Sequence, residues 1–412
     1  MDTHGGRKSY AFYSETSVPI FSPANSIPGF YALEFTGAGR FEDFRNNNTN
    51  VMVPKVGVRW QPFDETLTIR STWGEGFREP SLEELFAGPI SSLQVTHDPL
   101  KGGLLESETP VVTTSNPGLQ PEDSRAWTGG IVYTPKYAPG LTLSLDFWDI
   151  ERTGVVAAPF PDAVLAREAA GTLLPGESVQ RDAGGFISRI TLANQNQGGE
   201  EARGLDIGCQ YQVQTPYGTF TSLTNAYYLD QFRQQFVVNG PFTEQRGTTT
   251  SQGASLDGYL KWRGDSRLDW NWNGFDIVGT VRFRDGFEEH KPNLLLHWVH
   301  ATWFIDGQAS YDFTFVAPVE NAPVAGYSKD AKDVVRGKDG KATETAAAQT
   351  ATYGLPIWKR ILNGTSITVG CNDIFGQDPP DAFGEGGNAE GIPGGLYDQT
   401  GRFVYVSLTK KF

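Results

Sequence analysis

Apolar and polar residues alternate with a period of two in many short stretches of this chain, and no helical period competes over a comparable length. Leu141, Leu143, Leu145 and Phe147 alternate with Thr142, Ser144 and Asp146, the pattern of a strand with one apolar and one polar face. The pattern recurs at 204–213, 276–283, 306–313 and 366–372. Weaker versions near 8–18, 31–42, 52–61, 67–75, 123–134, 219–230, 254–262 and 403–412 bring the total to about thirteen candidate strands. One helix is expected, over Pro161 to Ala170, short enough to sit inside a loop.

The connections alternate in length. Short turns are read at 62–65, 136–140, 215–218 and 362–364, and long loops at 76–122, 154–202, 231–253 and 376–402. Transmembrane β-barrels join their strands in this way, with short turns on the periplasmic side and long loops outside. If the last strand runs down to a periplasmic C-terminus, counting backwards puts every short turn on one side. One stretch, 316–356, is long yet falls on the periplasmic side. Its polar, Ala-rich part predicts a flexible insert.

Composition supports an all-β reading: among 412 residues there are 48 Gly, 10 Trp, 15 Tyr and 26 Phe against two Cys and two Met. No run of about 18 apolar residues exists, so a transmembrane helix is excluded. Barrel strands escape that test because only one of their faces is apolar. The formal net charge of −14 argues against a nucleic-acid partner. Cys209 and Cys371 show no metal spacing and read as free thiols on apolar strand faces.

Two segments carry a family signature. Gly74 to Phe86 holds Gly76, Phe77, Arg78, Pro80, Ser81, Glu84, Leu85 and Phe86, and resembles the aromatic-Arg-x-Pro-Ser segment ending in Glu-Leu-Phe of TonB-dependent outer-membrane receptors. Asn116, Pro117, Leu119, Pro121, Glu122 and Ser124 are similar to the same family's Asn-Pro-x-Leu-x-Pro-Glu-x-Ser. Later signposts follow in order: Gly204 to Asp206, Asp306 to Tyr311, and Asn372 to Pro380 with Phe375, Pro379 and Pro380. The last strand ends in Phe412 on the face of Val404, Val406 and Leu408, like the assembly signal read by the barrel-assembly machinery.

The resemblance covers residues 8–412 and implies an antiparallel transmembrane β-barrel in the bacterial outer membrane, of about 22 strands when whole. It implies an N-terminal plug, a box that contacts TonB, and a scarce small-molecule nutrient as cargo. On this reading the chain is the C-terminal part of the barrel domain, without the plug and first strands, and transports nothing alone. Met1 to Lys8 likewise lack the apolar core of a secretory signal. Arg59 and Arg70 fall on the lumen face beside Lys55 and Thr68, where the resemblance implies contact with the plug. Arg78, Pro80 and Glu84 read as braces of a strand end rather than ligand contacts, because Pro fixes φ and a buried Arg demands a carboxylate.

Catalytic constellations are lacking in the sequence, so no enzyme and no cofactor are expected. His297 and His300 would point to opposite faces of a strand, and no phosphate loop or nucleophile elbow occurs. The loop acids Glu83, Glu84, Asp98, Glu106 and Glu108 lack the fixed order of a calcium loop. Trp127 and Phe160 suit sugar stacking or an aromatic girdle equally well. Two rival readings are a passive porin and a soluble carbohydrate-binding or adhesive domain. The loops carry no readable ligand code, so siderophores, cobalamin and oligosaccharides all stay open as cargo.

Overall fold

The structure is a computed structural model that describes residues 5–45, 49–235, 240–249, 259–290, 296–315, 356–380, 396–398 and 400–411. From the N-terminal side come β1 (Ser9–Phe21), β2 (Ala32–Phe44), β3 (Thr49–Gln61) and β4 (Leu67–Arg78). The following loop holds α1 (Leu82–Phe86), β5 (Ile90–Asp98), a 3-10 turn at Pro99–Lys101 and β6 (Leu104–Thr114). After β7 (Glu122–Tyr133) and β8 (Leu141–Ala157), a second loop holds α2 (Pro161–Ala170), β9 (Ser178–Arg181) and β10 (Ile187–Ala193). Next are β11 (Gln195–Thr215), β12 (Gly218–Gln234), the two-residue strands β13 (Thr243–Glu244) and β14 (Thr248–Thr249), β15 (Trp262–Trp272) and β16 (Phe275–Arg284). The last elements are β17 (Phe287–His290), β18 (Leu296–Val299), β19 (Thr302–Phe313), α3 (Ile357–Leu362), β20 (Thr365–Asn372) and β21 (Phe403–Lys410).

One antiparallel sheet runs in the order β1-β2-β3-β4-β7-β8-β11-β12-β15-β16-β19-β20-β21, with β13 added beside β12. Thirteen strands in succession match the count read from the alternation. Among the described residues β1 and β21 do not pair with each other. The expected strand near 254–262 begins instead at Trp262, and 254–258 lie outside the described residues. The expected insert at 316–356 also lies outside them, apart from Pro356, as does Phe412.

Residues paired across the ladders share a face, so the register shows what each face carries. One face presents the row Leu33, Trp60, Ile69, Ile131, Leu145 and Ile207 across six successive strands. Ile131 and Leu145 are each 44% exposed on it. The opposite row is Glu34, Arg59, Arg70, Gly130, Asp146 and Asp206. A sheet this wide with apolar side chains open on one face and charges on the other needs lipid outside and water inside.

Turns follow their sequence. Asn273 and Gly274 link β15 to β16 with φ of 48° and 85°, the geometry of a two-residue hairpin that keeps the strands' twist. The outer connections build structure of their own. β5, β6, β10 and β9 form a four-stranded sheet shared by the first two long loops, and β14, β17 and β18 form a three-stranded sheet. His297 and Trp298 therefore lie in a loop sheet, where Val299 is buried and Trp298 is exposed.

Candidate functional site

The outer ends of the strands are tied by a chain of charges. Arg78, at the end of β4, donates to Glu84 at 3.0 Å and to Glu122 at 2.5 Å. Glu122, 2% exposed, also accepts from Arg152 on β8 at 2.8 Å and from the Val156 amide at 2.7 Å. Arg152 reaches Glu200 on β11 at 2.5 Å, and Gln234 on β12 donates to the same carboxylate at 3.1 Å. Five neighbouring strands are laced together here, and the buried carboxylate is paired on both sides, as burial of charge requires.

The motif residues assemble around this brace. Ser81 caps α1 with its side chain while Glu84 reaches back to the Ser81 amide, a capping box. Burial raises the Glu84 carboxyl, but its hydrogen bonds from Arg78 and Ser81 more than reverse this and hold it below the usual range. Pro80, Leu85 and Leu119 are buried, and Leu85 and Leu119 line one small hollow with Phe44 and the half-buried Phe86. Asn116 turns the chain by accepting from Gly118 at 2.8 Å and donates to the Asn194 carbonyl at 2.8 Å. Gly76 pairs with Ser124, and a Cβ at Gly76 would come within 2.8 Å of the Ser124 hydroxyl. Asn372, Phe375, Pro379 and Pro380 lie elsewhere, at and beyond the end of β20, where the Asp373 amide donates to Asp306 at 2.8 Å.

Above the rim, the shared loop sheet has its own core. Val164 and Leu165 of α2 pack against Val111, Ile187, Ile190 and Leu192, each burial worth about 1.5–3 kcal/mol. β6 and β10 pair in parallel, Val111 opposite Ile190. Arg181 clamps the unit, donating to Asp98 at 2.5 Å and to Glu168 at 2.7 Å. The Arg181 bonds, with the Leu100 amide, hold the Asp98 carboxyl low against the opposing effect of burial. Glu177 is raised by burial and lowered further by Arg167, the Leu174 amide and Gln195, with a net shift downward. His97 Nδ1 lies 2.8 Å from Asp162. Of the loop acids, Glu84 and Asp98 are engaged by Arg78 and Arg181, and no cluster of three metal-ligating side chains exists among the described residues.

The lumen face under the other loops is cationic and aromatic. Arg263 and Arg284 stand directly opposite on β15 and β16, with Arg282 two residues along. Like charges opposite each other on a sheet repel. Arg282 is paired with Asp306 at 2.7 Å, while Arg263 and Arg284 make no ion pair among the described residues. Arg263 lies 5.1 Å from the Tyr227 ring and Arg282 5.3 Å from that of Phe304. Two hollows meet at Arg284. One, of about 290 Å³, includes Arg282, Phe304 and Tyr397. The other, of about 280 Å³, includes Arg263, Tyr227 and Asp206. Sequence reading missed this cluster, although the alternation of Arg263, Asp265, Arg267 and Asp269 with Gly264, Ser266 and Leu268 was its signal.

Of the lumen candidates, Arg70 is bound to Asp146 at 2.8 Å. The pair spans an intervening strand because Gly130 stands between them without a side chain. A Cβ at Gly130 would overlap the Asp146 carboxylate. Arg59, opposite Arg70, is exposed and makes no ion pair among the described residues. Trp127 sits on the apolar face, 45% exposed and 5.2 Å from the Phe147 ring, in the manner of a girdle residue. Phe160 precedes α2 in the second long loop.

No curated protein matches the chain in sequence. Among solved structures, the siderophore receptor PirA from Acinetobacter baumannii superposes with a TM-score of 0.58 at 11% identity, over 98% of this chain and 45% of that one. A mutant of the ferric enterobactin receptor PfeA from Pseudomonas aeruginosa gives 0.60 at 14% identity, again over 98% and 45%. The FrpB iron transporter from Neisseria meningitidis gives 0.52 at 13%, with the same coverage. At such identities the likeness is one of fold, and the chain spans under half the length of these proteins. Residues 1–322 match the family described as TonB dependent receptor-like, beta-barrel. That match covers most of a sheet with a lipid face, a charged lumen and long outer loops, and the chain belongs to this family of outer-membrane receptors, which is not a family of enzymes.

Proposed function

We propose that this chain forms barrel wall and outer loops of a receptor that takes up an anionic, aromatic-rich chelate such as a ferric siderophore. The observation that carries the reading is the cluster of Arg263, Arg282 and Arg284 with the Tyr227 and Phe304 rings, in hollows directly beneath the outer loops. Two guanidiniums that repel each other and have no carboxylate partner among the described residues favour an anion between them. The siderophore and ferric enterobactin receptors of similar fold support that ligand class. In the whole receptor a plug fills the lumen and is pulled by TonB, and of the two lumen arginines Arg59 is the one without an ion pair among the described residues and so available to meet the plug.

The test is titration of a ferric tris-catecholate onto the full chain in lipid nanodiscs, read by tryptophan quenching. Saturable binding should weaken about tenfold or more in Arg263→Gln/Arg284→Gln, the loss of charged hydrogen bonds worth about 1.4 kcal/mol or more. Binding that never saturates, or that the double substitution leaves unchanged, overturns the ligand class. Iron-limited growth through the whole receptor should cease without TonB, whereas a passive porin would be indifferent.

A further inference from the structure

We infer that α3 is a membrane-seated element, its apolar stripe lying among the lipids of the periplasmic leaflet. Ile357, Trp358 and Ile361 are 75%, 56% and 63% exposed. At about 100° per residue these three fall within one side of the helix, with Lys359 and Arg360 on the others. A soluble surface has no use for three large apolar side chains on six residues.

What covers them follows from continuity with the lipid face. Tyr311 and Phe313 stand on the apolar side of β19, opposite Ile367 and Thr365. The ring of Phe313 lies 4.7 Å from Tyr311 and 6.3 Å from Phe315, which in turn lies 5.8 Å from Trp358. An unbroken file of rings therefore leads from the membrane-facing wall to the helix, at the depth where aromatic side chains concentrate. Lys359 Nζ sits 5.4 Å from the Phe315 ring and 5.3 Å from that of Trp358, placing an ammonium at the level of lipid phosphates while its stem stays apolar.

The helix is too short to persist alone, and the wall holds it. Asn363 accepts from the Phe315 amide at 2.8 Å, and the Gly364 amide donates to the Phe313 carbonyl at 2.8 Å. Lys410 donates to the Ile361 carbonyl at 2.6 Å, and also to that of Asn363. These bonds satisfy the Ile361 carbonyl and that of the cap residue Asn363, and tie the helix's end to the wall. The partner is therefore phospholipid, whose acyl chains meet Ile357, Trp358 and Ile361 and whose phosphates meet Lys359 and Arg360.

The experiment places a spin label at Ile361→Cys in the full chain, with Cys209→Ser and Cys371→Ser, in phosphatidylethanolamine/phosphatidylglycerol nanodiscs. Labels at Val406→Cys, on the lipid face, and Glu83→Cys, in an outer loop, set the scale. Collision with oxygen over a water-soluble nickel chelate should be favoured at 361 as at 406, and reversed at 83. A 361 label that behaves like the one at 83 overturns the assignment. So does one shielded only after a periplasmic extract is added, which would make the partner a protein.

Discussion

The shared loop sheet and the strand wall hold the same kinds of ion pair in opposite surroundings. In the loop unit Arg181 and Asp98 are 17% and 0% exposed, beside a closed apolar core. In the wall Arg70 and Asp146 are 53% and 27% exposed, facing the lumen, while the apolar residues turn outward. The loop unit thus depends on its charges being matched, because an unmatched one would be buried. Below the buried Glu122 brace at its outer rim, the wall depends on its ladder and on lipid, and its charges face the lumen.

The sharpest way to break this contrast is Arg181→Met, which leaves Asp98 and Glu168 without their cation. The loop sheet should lose about 3–5 kcal/mol, seen as faster hydrogen exchange over 90–114 and 178–193 with the main sheet unchanged. Equal protection in both proteins would show that the clamp does not hold the unit.

Acid should act in the same direction and more gradually. Asp98 and Glu177 lie below their ordinary values of 3.8 and 4.5, so their contribution is complete above those values and is lost as pH falls through the lowered ones. Hydrogen exchange corrected for intrinsic rate should therefore show the loop sheet opening below about pH 4, before the wall strands below the Glu122 brace do. Simultaneous opening of both would remove the distinction between the two regions.

The smallest effect is expected in the wall. Arg70→Ala should cost about 0–1 kcal/mol in unfolding from lipid vesicles, the ordinary yield of an exposed pair. Gly130→Ala forces the Asp146 carboxylate aside, so adding Arg70→Ala to it should change little further. A large additional loss in the double variant would mean that Arg70 supports the wall by another route.

The sequence disclosed the wall far better than the loops. A period of two is a local signal, and Leu141 to Phe147 displays it without help from any other strand. β15 was placed several residues early because Gly264 and Ser266 occupy apolar-side positions and dilute the pattern, although Arg263 to Asn271 alternate plainly on the other side. The motif residues Arg78, Glu84 and Glu122 were legible as a set, but their continuation through Arg152 to Glu200 depends on register between strands. The loop sheet was hidden for the same reason. Val111 meets Ile190 across the whole of β7, β8, α2 and β9, and neither neighbourhood shows what it pairs with. α2 was visible because Pro161 opens it and Gly171, at φ 70°, closes it.

The parallel pairing of β6 with β10 also bears on how the cell surface would be recognised from outside. One half of the loop sheet comes from each of two segments some eighty residues apart, so an antibody fitted across their seam reads both at once. Peptides copied from either loop would present half of that epitope, and sera raised against them should fail on the intact receptor.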